Sequence, residues 1–329
     1  VRRGAGGEHK EQAERDAHVQ FFKSTVLIYL HDDRVRELLS WEQLILAMEE
    51  ALGALSTGRI RQPVRTIVPV EENRRYLGLM PAVAPDVMGA KLVTFYPVNE
   101  MTPFPTHNGT VVLFDSVTGV PIAAMDARSI TEMRTAAVSA AVTKYAMPAN
   151  ARVVALLGSG VQARAHVAAL SHVMHIGELR IWSRNPEHAA SFADECGGRA
   201  MDAEQAVNGA DVVVVATSSR EPVLRGDWLA AGAHVNSVGA NNPGWRELDD
   251  DAMHNTLLVD SRDAVAVESG DVIGSQAVPY AEVGELFAGV KAWPDRSRTT
   301  VFKSMGQAIE DIAAAKLVHD NLRASGAGV

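Results

Sequence analysis

The chain has 329 residues, 47% hydrophobic and 22% charged, which makes it ordinary globular material, long enough for two domains. A net charge of −9 without a local Lys/Arg run argues against nucleic acid and leaves a small molecule or a protein as the partner. The single cysteine, Cys196, excludes an intrachain disulfide, and its setting in DECGG lacks the cations that activate a thiol, so we read it as structural and the compartment as reducing and cytoplasmic.

Residues 1–24 open with the polar, unpatterned stretch Val1–Gln20 and are expected to form a disordered tail. The apolar run TVLIYL is too short for a membrane span and meets HDDR at once, so neither export nor membrane contact is expected. Ser40 opens SWEQ, a capping box, and Leu44, Ala47, Met48, Ala51, Leu52 and Leu55 follow at helical spacing until Gly58. Strand-like runs come next, PVRTIVPV, AKLVTFYP and TVVLFD, and predict a mostly antiparallel sheet. His107, in PTHNGT, reads as a turn residue. Beyond the Ala-rich helix TEMRTAAVSAAVTKY, strands and helices alternate from Ala151 to about Gly289, the pattern of a doubly wound parallel sheet. TTVFKS and the helix QAIEDIAAAKLVHDNL then return to the first domain. The expected fold class is α/β, a Rossmann-type sheet over residues 149–299 plus an α+β substrate and dimerisation domain over 25–148 and 300–329.

Three cations in the first domain ask for an explanation. In MGAKLVTFY, alternation puts Lys91 on one face with Val93 and Phe95, an odd place for a strongly hydrated ammonium. Bringing its pKa near neutrality costs about 4 kcal/mol and needs desolvation or a neighbouring cation. Arg134 sits near the start of its helix, where positive charge opposes the dipole and where a bound anion would be held by both. Arg65 alternates with Ile67 and Pro69. Taken singly, each fits a surface or ion-paired residue as well as a functional one.

The parallel domain opens with VVALLGSGVQA, a strand running into GxGxxA. Gly158 permits the tight turn, Gly160 lets backbone approach a pyrophosphate, and Ala163 keeps the helix, with Val161 and Gln162 in its first turn, close to the sheet. The second strand, ELRIWSR, ends in Ser183, Arg184 and Asn185 where an acid would hold the ribose of NAD. A cation on a 2′-phosphate makes charge-assisted hydrogen bonds worth ~1.5–3 kcal/mol, so the expected cofactor is NADPH, the alternative being a solvated arginine. Thr217, Ser218, Val238, Gly239 and Ser304 complete the expected cofactor site at the carboxyl edge. We expect no metal. After Val238 the chain runs GANNPGWRELDD, and neither Asn241 nor Asn242 can exchange a proton near neutral pH. By itself this is an Asn-rich turn closed by Pro-Gly.

QPVRT, YLGLMPA, KLVTFY, MRTAAVSA, LGSGVQA, RIWSR, VGANNPGWRELDD, ESGDV and TTVFKSMG, in this order over roughly Ser40 to Leu322, resemble the ornithine cyclodeaminase/μ-crystallin family. The resemblance implies a homodimer and a substrate site in which Arg65 and Arg134 hold a carboxylate and Lys91 stands near the reacting nitrogen. Met80, Phe95, Asn241 and Asn242 then line the pocket. Cyclodeaminases of the family carry an aspartate where Asn241 stands and a glutamate where Gly78 stands. Without them, proton removal from an amine loses its base. The ketimine-reducing members resemble this chain in lacking both, which implies NADPH-dependent reduction of cyclic imino acids such as pyrroline- or piperideine-2-carboxylate. An ornithine cyclodeaminase or alanine-dehydrogenase-like enzyme is the enzymatic alternative. NADPH-dependent thyroid-hormone binding is a third implication of the resemblance.

Overall fold

The computed structural model describes residues 27–71 and 75–326, and the expected amino-terminal tail lies outside them. Strands β1 (Ile28–Leu30), β2 (Thr66–Glu71), β3 (Arg75–Val83), β4 (Met88–Phe95), β5 (His107–Phe114) and β6 (Pro121–Asp126) build a first sheet in the order β1-β6-β5-β4-β3-β2. Only β1 joins in parallel; the other pairs are antiparallel, as expected. Strands β2, β4 and β5 are those expected from sequence. The pattern of β3 is obscured because LGLMP carries a glycine and a proline, both strand-weakening residues. Pro81 is tolerated because it lies past the end of β2, whose first paired residue, Thr66, sits opposite Leu79. His107 is no turn residue: it opens β5, opposite Phe95.

The second sheet holds β7 (Val153–Leu157), β8 (Glu178–Trp182), β9 (Arg199–Ala200), β10 (Val212–Val215), β11 (His234–Ser237), β12 (Thr256–Val259), β13 (Ala281–Glu282) and β14 (Thr300–Lys303). All are parallel, in the order β13-β12-β14-β11-β10-β7-β8-β9. The order reverses between β7 and β10, the switch point where open parallel sheets bind ligands. One expected boundary is corrected here. Residues 300–303 lie between β11 and β12, inside the parallel sheet, because TVFK is buried on both faces as a central parallel strand must be. The chain returns to the first domain only after residue 303.

Five helices of ten residues or more occur among the described residues: α1 (Trp41–Ser56), α2 (Arg128–Ala146), α3 (Val161–Leu170), α4 (Pro186–Cys196) and α5 (Ala308–Ala324). Ser40 caps α1 through the Gln43 amide, as its capping signature predicts. Helix α5 packs on α1, α2 and strands β3 to β5. Helix α2 joins the two layers. Ala136, Ala137, Ala140 and Ala141 are fully buried and let neighbours approach closely. Its Ser139 bonds His166 of α3 at 2.9 Å, and its Thr143 accepts from Asn236 of β11 at 2.9 Å. Burial lowers the pKa of His166 to about 4, so it is neutral in this network.

Because β14 is central, Phe302, fully buried there, belongs to the parallel core. Phe302→Ala is expected to destabilise the protein by about 3–5 kcal/mol, read from urea unfolding. A cost below about 1 kcal/mol would contradict this placement.

Candidate active site

Strand register sorts the inner face of the first sheet into rows. Met80 is paired with Lys91 and Lys91 with Val111, and Arg65, preceding Thr66, extends this row. Opposed residues point to the same side. The next row holds Gly78, Val93 and Gly109, and the third holds Tyr76, Phe95 and His107. In the third row the Phe95 ring lies 5.3 Å from Tyr76 and 4.6 Å from His107. A carboxylate at position 78 would therefore stand one row out from Lys91, on the same face.

Lys91 and Arg134 are both buried, and the first turn of α5 neutralises them. Lys91 Nζ is 2.7 Å from Asp311 Oδ2; Arg134 reaches Glu310 at 2.6 Å and Asp311 Oδ1 at 3.1 Å. The expected dipole argument for Arg134 is corrected: α2 begins at Arg128, so Arg134 lies nearly two turns in, beyond the reach of the helix end. Its position is set instead by the two carboxylates and by Gly306, where φ is +76° and any Cβ would collide with the guanidinium. Arg65 pairs with Glu268 at 2.9 Å and donates to the carbonyls of Met305 and Gly306. The amides of those two residues donate to Asp260 at 2.6 and 2.7 Å.

Three cations thus face four carboxylates, and burial decides their titration. It pulls Lys91 down to about 8 against the pull of Asp311, with Arg134 and Arg65 adding to the fall. Burial also works against the Asp311 carboxylate, but Lys91 and Arg134 outweigh it and hold its pKa below the usual range. Glu310 is pushed up to about 7 by burial, with Arg134 opposing. Asp260 and Glu268 are raised for the same reason. Gln62, Arg65, Met80, Glu268, Gly306 and Gln307 line a small cavity beside the cluster. Such an arrangement can hold an organic anion in a dry pocket with an ammonium beside it.

At the switch point the chain passes from β7 into α3 through Gly158 and Gly160. Gly158 has φ +127°, and a Cβ there would collide with the Ala216 carbonyl, so only glycine fits. Gly160 precedes α3 with open space where a side chain would be, and no side chain caps that helix. Its first amides are thus presented to an anion. Ala163 is buried, Val161 is exposed, and Gln162 reaches the Thr131 carbonyl at 3.5 Å. Ser183 accepts from or donates to Ser159 at 2.9 Å, and Arg184 is exposed, with no ion pair among the described residues. This cradle fits a dinucleotide.

Other expected residues are engaged elsewhere. The Asn185 side chain caps α4 by accepting from the Glu187 amide at 2.9 Å. Asn242 closes a turn by accepting from the Gly244 amide at 3.0 Å, as an Asn-rich turn ending in Pro-Gly does. Asn241 is exposed and follows Ala240, a non-glycine residue at φ +52°. Thr217 is bonded to Glu247, Ser218 is exposed, Val238 is buried, and Ser304 approaches Asp260 at 3.4 Å. Sequence reasoning missed Asp260, Glu268, Glu310 and Asp311. The signal was an adjacent Glu-Asp pair between Ile309 and Ile312, both on the buried side of α5.

The match of the ornithine cyclodeaminase/mu-crystallin family model extends over residues 26–326. The chain belongs to this family. It is 45% identical over 303 residues to the mouse ketimine reductase mu-crystallin, spanning 89% of this chain and 96% of that one. Among solved structures, the Thermococcus litoralis Δ(1)-pyrroline-2-carboxylate reductase in complex with NADH and L-proline is similar with a TM-score of 0.85 and 33% identity, covering 91% and 98% of the two chains. An archaeal alanine dehydrogenase dimer with bound NAD has a TM-score of 0.87 and 30% identity, covering 92% and 98%. No helix among the described residues is long and apolar enough to cross a membrane.

The pairing predicts how Lys91 titrates. Followed by NMR of its ε-carbon, the ammonium should lose its proton near pH 8. Asp311 favours the charged form, so Asp311→Asn should move that transition to lower pH. A transition that stays put, or one near that of a free lysine, would contradict the ion pair.

Proposed function

We propose that this family member reduces cyclic ketimines bearing a carboxylate, such as pyrroline- or piperideine-2-carboxylate, to cyclic amino acids with NADPH, as a homodimer. The observation that carries this reading is the buried cation cluster of Lys91, Arg134 and Arg65, on whose sheet face position 78 is a glycine, together with an asparagine rather than a carboxylate at position 241. Such a site can bind and orient an iminium carboxylate, yet it lacks the base that cyclodeamination requires. The names of its relatives, ketimine reductase and pyrroline-2-carboxylate reductase, support the same chemistry.

Arg134 spends Nε and Nη1 on Asp311 and Glu310, which leaves Nη2 for the substrate carboxylate. Arg65 likewise keeps Nη1, since Nε and Nη2 are engaged. The iminium brings its own proton, so hydride addition to its carbon gives the neutral ring amine; Lys91, charged below about pH 8, then donates a hydrogen bond to the nitrogen lone pair that this step creates. When bound, the reduced nicotinamide supplies the hydride. Val68, Val70, Val83 and Leu92, exposed on the outer face of the first sheet, favour burial against a second copy. A second reading, thyroid-hormone binding in the presence of NADPH, draws on the aromatic row of Tyr76, Phe95 and His107, and hormone displacement measured in the same preparation tests it.

Steady consumption of NADPH is expected with piperideine-2-carboxylate, and no ammonia above background from ornithine with NAD⁺ or NADP⁺. Robust ammonia release would overturn the reductase reading. NADPH should bind at least about tenfold more tightly than NADH, and Arg184→Ala should erase most of that difference. Equal affinities in the unmodified protein would remove the basis for the cofactor choice.

Arg134→Ala should raise KM for carboxylate-bearing imines by at least roughly thirtyfold, the loss of a charged pair from a dry site, while NADPH affinity stays nearly unchanged. Normal kinetics in that variant would move the carboxylate clamp elsewhere.

A further inference from the structure

A second buried ionic cluster lies where the carboxyl ends of β10, β11 and β14 meet the loop after β11. Lys303, the last residue of β14, is fully buried. Its ammonium donates to the Gly239 carbonyl oxygen and, at 3.1 Å, to Ser237 Oγ. It lies 3.0 Å from Asp271 Oδ2 and 3.9 Å from Glu247 Oε2. Asp271 Oδ1 accepts the amides of Glu247 and Leu248 at 2.8 and 3.0 Å. Glu247 Oε1 accepts both the amide and the hydroxyl of Thr217 at 2.7 Å. Gly239 is packed so tightly that a Cβ would collide with the Thr217 carbonyl and with Glu247.

The sheet does not need these charges for cohesion. Apolar residues of similar volume often hold a core as well as a buried ion pair or better. The cluster's distinctive product is geometric: one ammonium and two carboxylates bind the loop after β10 and the loop after β11 to the end of β14. We propose that Lys303 is a positioning residue for hydride transfer, acting through the Gly239 carbonyl and the Asp271 and Glu247 carboxylates to fix Thr217 and the segment 238–242 at the sheet edge. This rests on the reading of the chain as an imine reductase. Lys303 touches neither substrate nor cofactor in this role. It sets the backbone against which both must align, and a displacement of about 1 Å at such a site costs on the order of a hundredfold in rate.

The test compares Lys303→Met and Asp271→Asn with the unmodified protein. For Lys303→Met, kcat on piperideine-2-carboxylate should fall by roughly tenfold to a hundredfold. KM for the imine and NADPH affinity, read from nucleotide fluorescence, should stay within about threefold, the pattern of an interaction realised in the transition state. The primary isotope effect with 4-deuterated NADPH should rise as hydride transfer becomes limiting. In both variants, without cofactor, amide hydrogen exchange across residues 238–248 should accelerate while β10 stays protected. Should Lys303→Met fail to fold, Asp271→Asn, whose remaining oxygen still accepts the two amides, gives the same readouts with a smaller fall in kcat. Unchanged kcat, isotope effect and exchange in a folded variant overturn the proposal, as does a parallel loss of kcat and NADPH affinity. Failure of the unmodified protein to reduce any cyclic imine sinks the proposed activity instead, and the exchange result alone then decides the anchoring.

Discussion

Burying Lys91 and Arg134 together is the constraint on which the half of the molecule built around the first sheet depends. Each ion taken out of water costs several kcal/mol, and the two cations also repel each other. Among the described residues, the first sheet and α2 offer them no carboxylate partner; Glu310 and Asp311 come instead from the first turn of α5, more than 170 residues later in the chain than Arg134. The last long helix is therefore part of the site. Its acidic first turn suits its own dipole as well, so the same two residues begin the helix and neutralise the pocket.

The two buried clusters stand at the two ends of one short segment. Lys303 closes β14 and anchors the loops of the parallel sheet; Ser304, Met305 and Gly306 are held between Asp260 and Arg65; Glu310 and Asp311 then receive Arg134 and Lys91. A shift of this segment would move both halves together. The motif ESGDV is similarly divided. Its Glu268 holds Arg65 of the first domain, and its Asp271 holds Lys303 of the second. Gly270 between them has no room for a side chain against the carbonyl oxygens of Trp245, Asn242 and Pro243.

What the sequence disclosed and what it hid have physical causes. Lys91 and Arg65 were legible because a cation in a strand that alternates with apolar residues is costly unless it is used or paired. Their partners were not, because acids in the first turn of a helix are ordinary residues wherever that helix lies. The cradle at Gly158 and Gly160 was legible because local backbone geometry dictates it. The place of β14 was not: a strand of four residues, TVFK, cannot announce which neighbours it will join. Asn185 and Asn242 looked like ligand contacts for the reason that makes them caps and turns, a carboxamide one bond from the backbone.

The asparagine pair now has a physical account. Asn242 shapes its turn, and Asn241 stands two residues beyond Gly239, whose carbonyl Lys303 holds. Beside that carbonyl, one ammonium already faces two buried carboxylates. Burial has pushed Glu247 to about 7, with Lys303 opposing and Asp271 adding to the rise. Asn241 itself is exposed, and its carboxamide brings neither charge nor an exchangeable proton to this loop. A base is needed there only where a proton must leave an amine. An imine that arrives protonated asks for no such base, and a carboxamide there leaves the anchored loop uncharged.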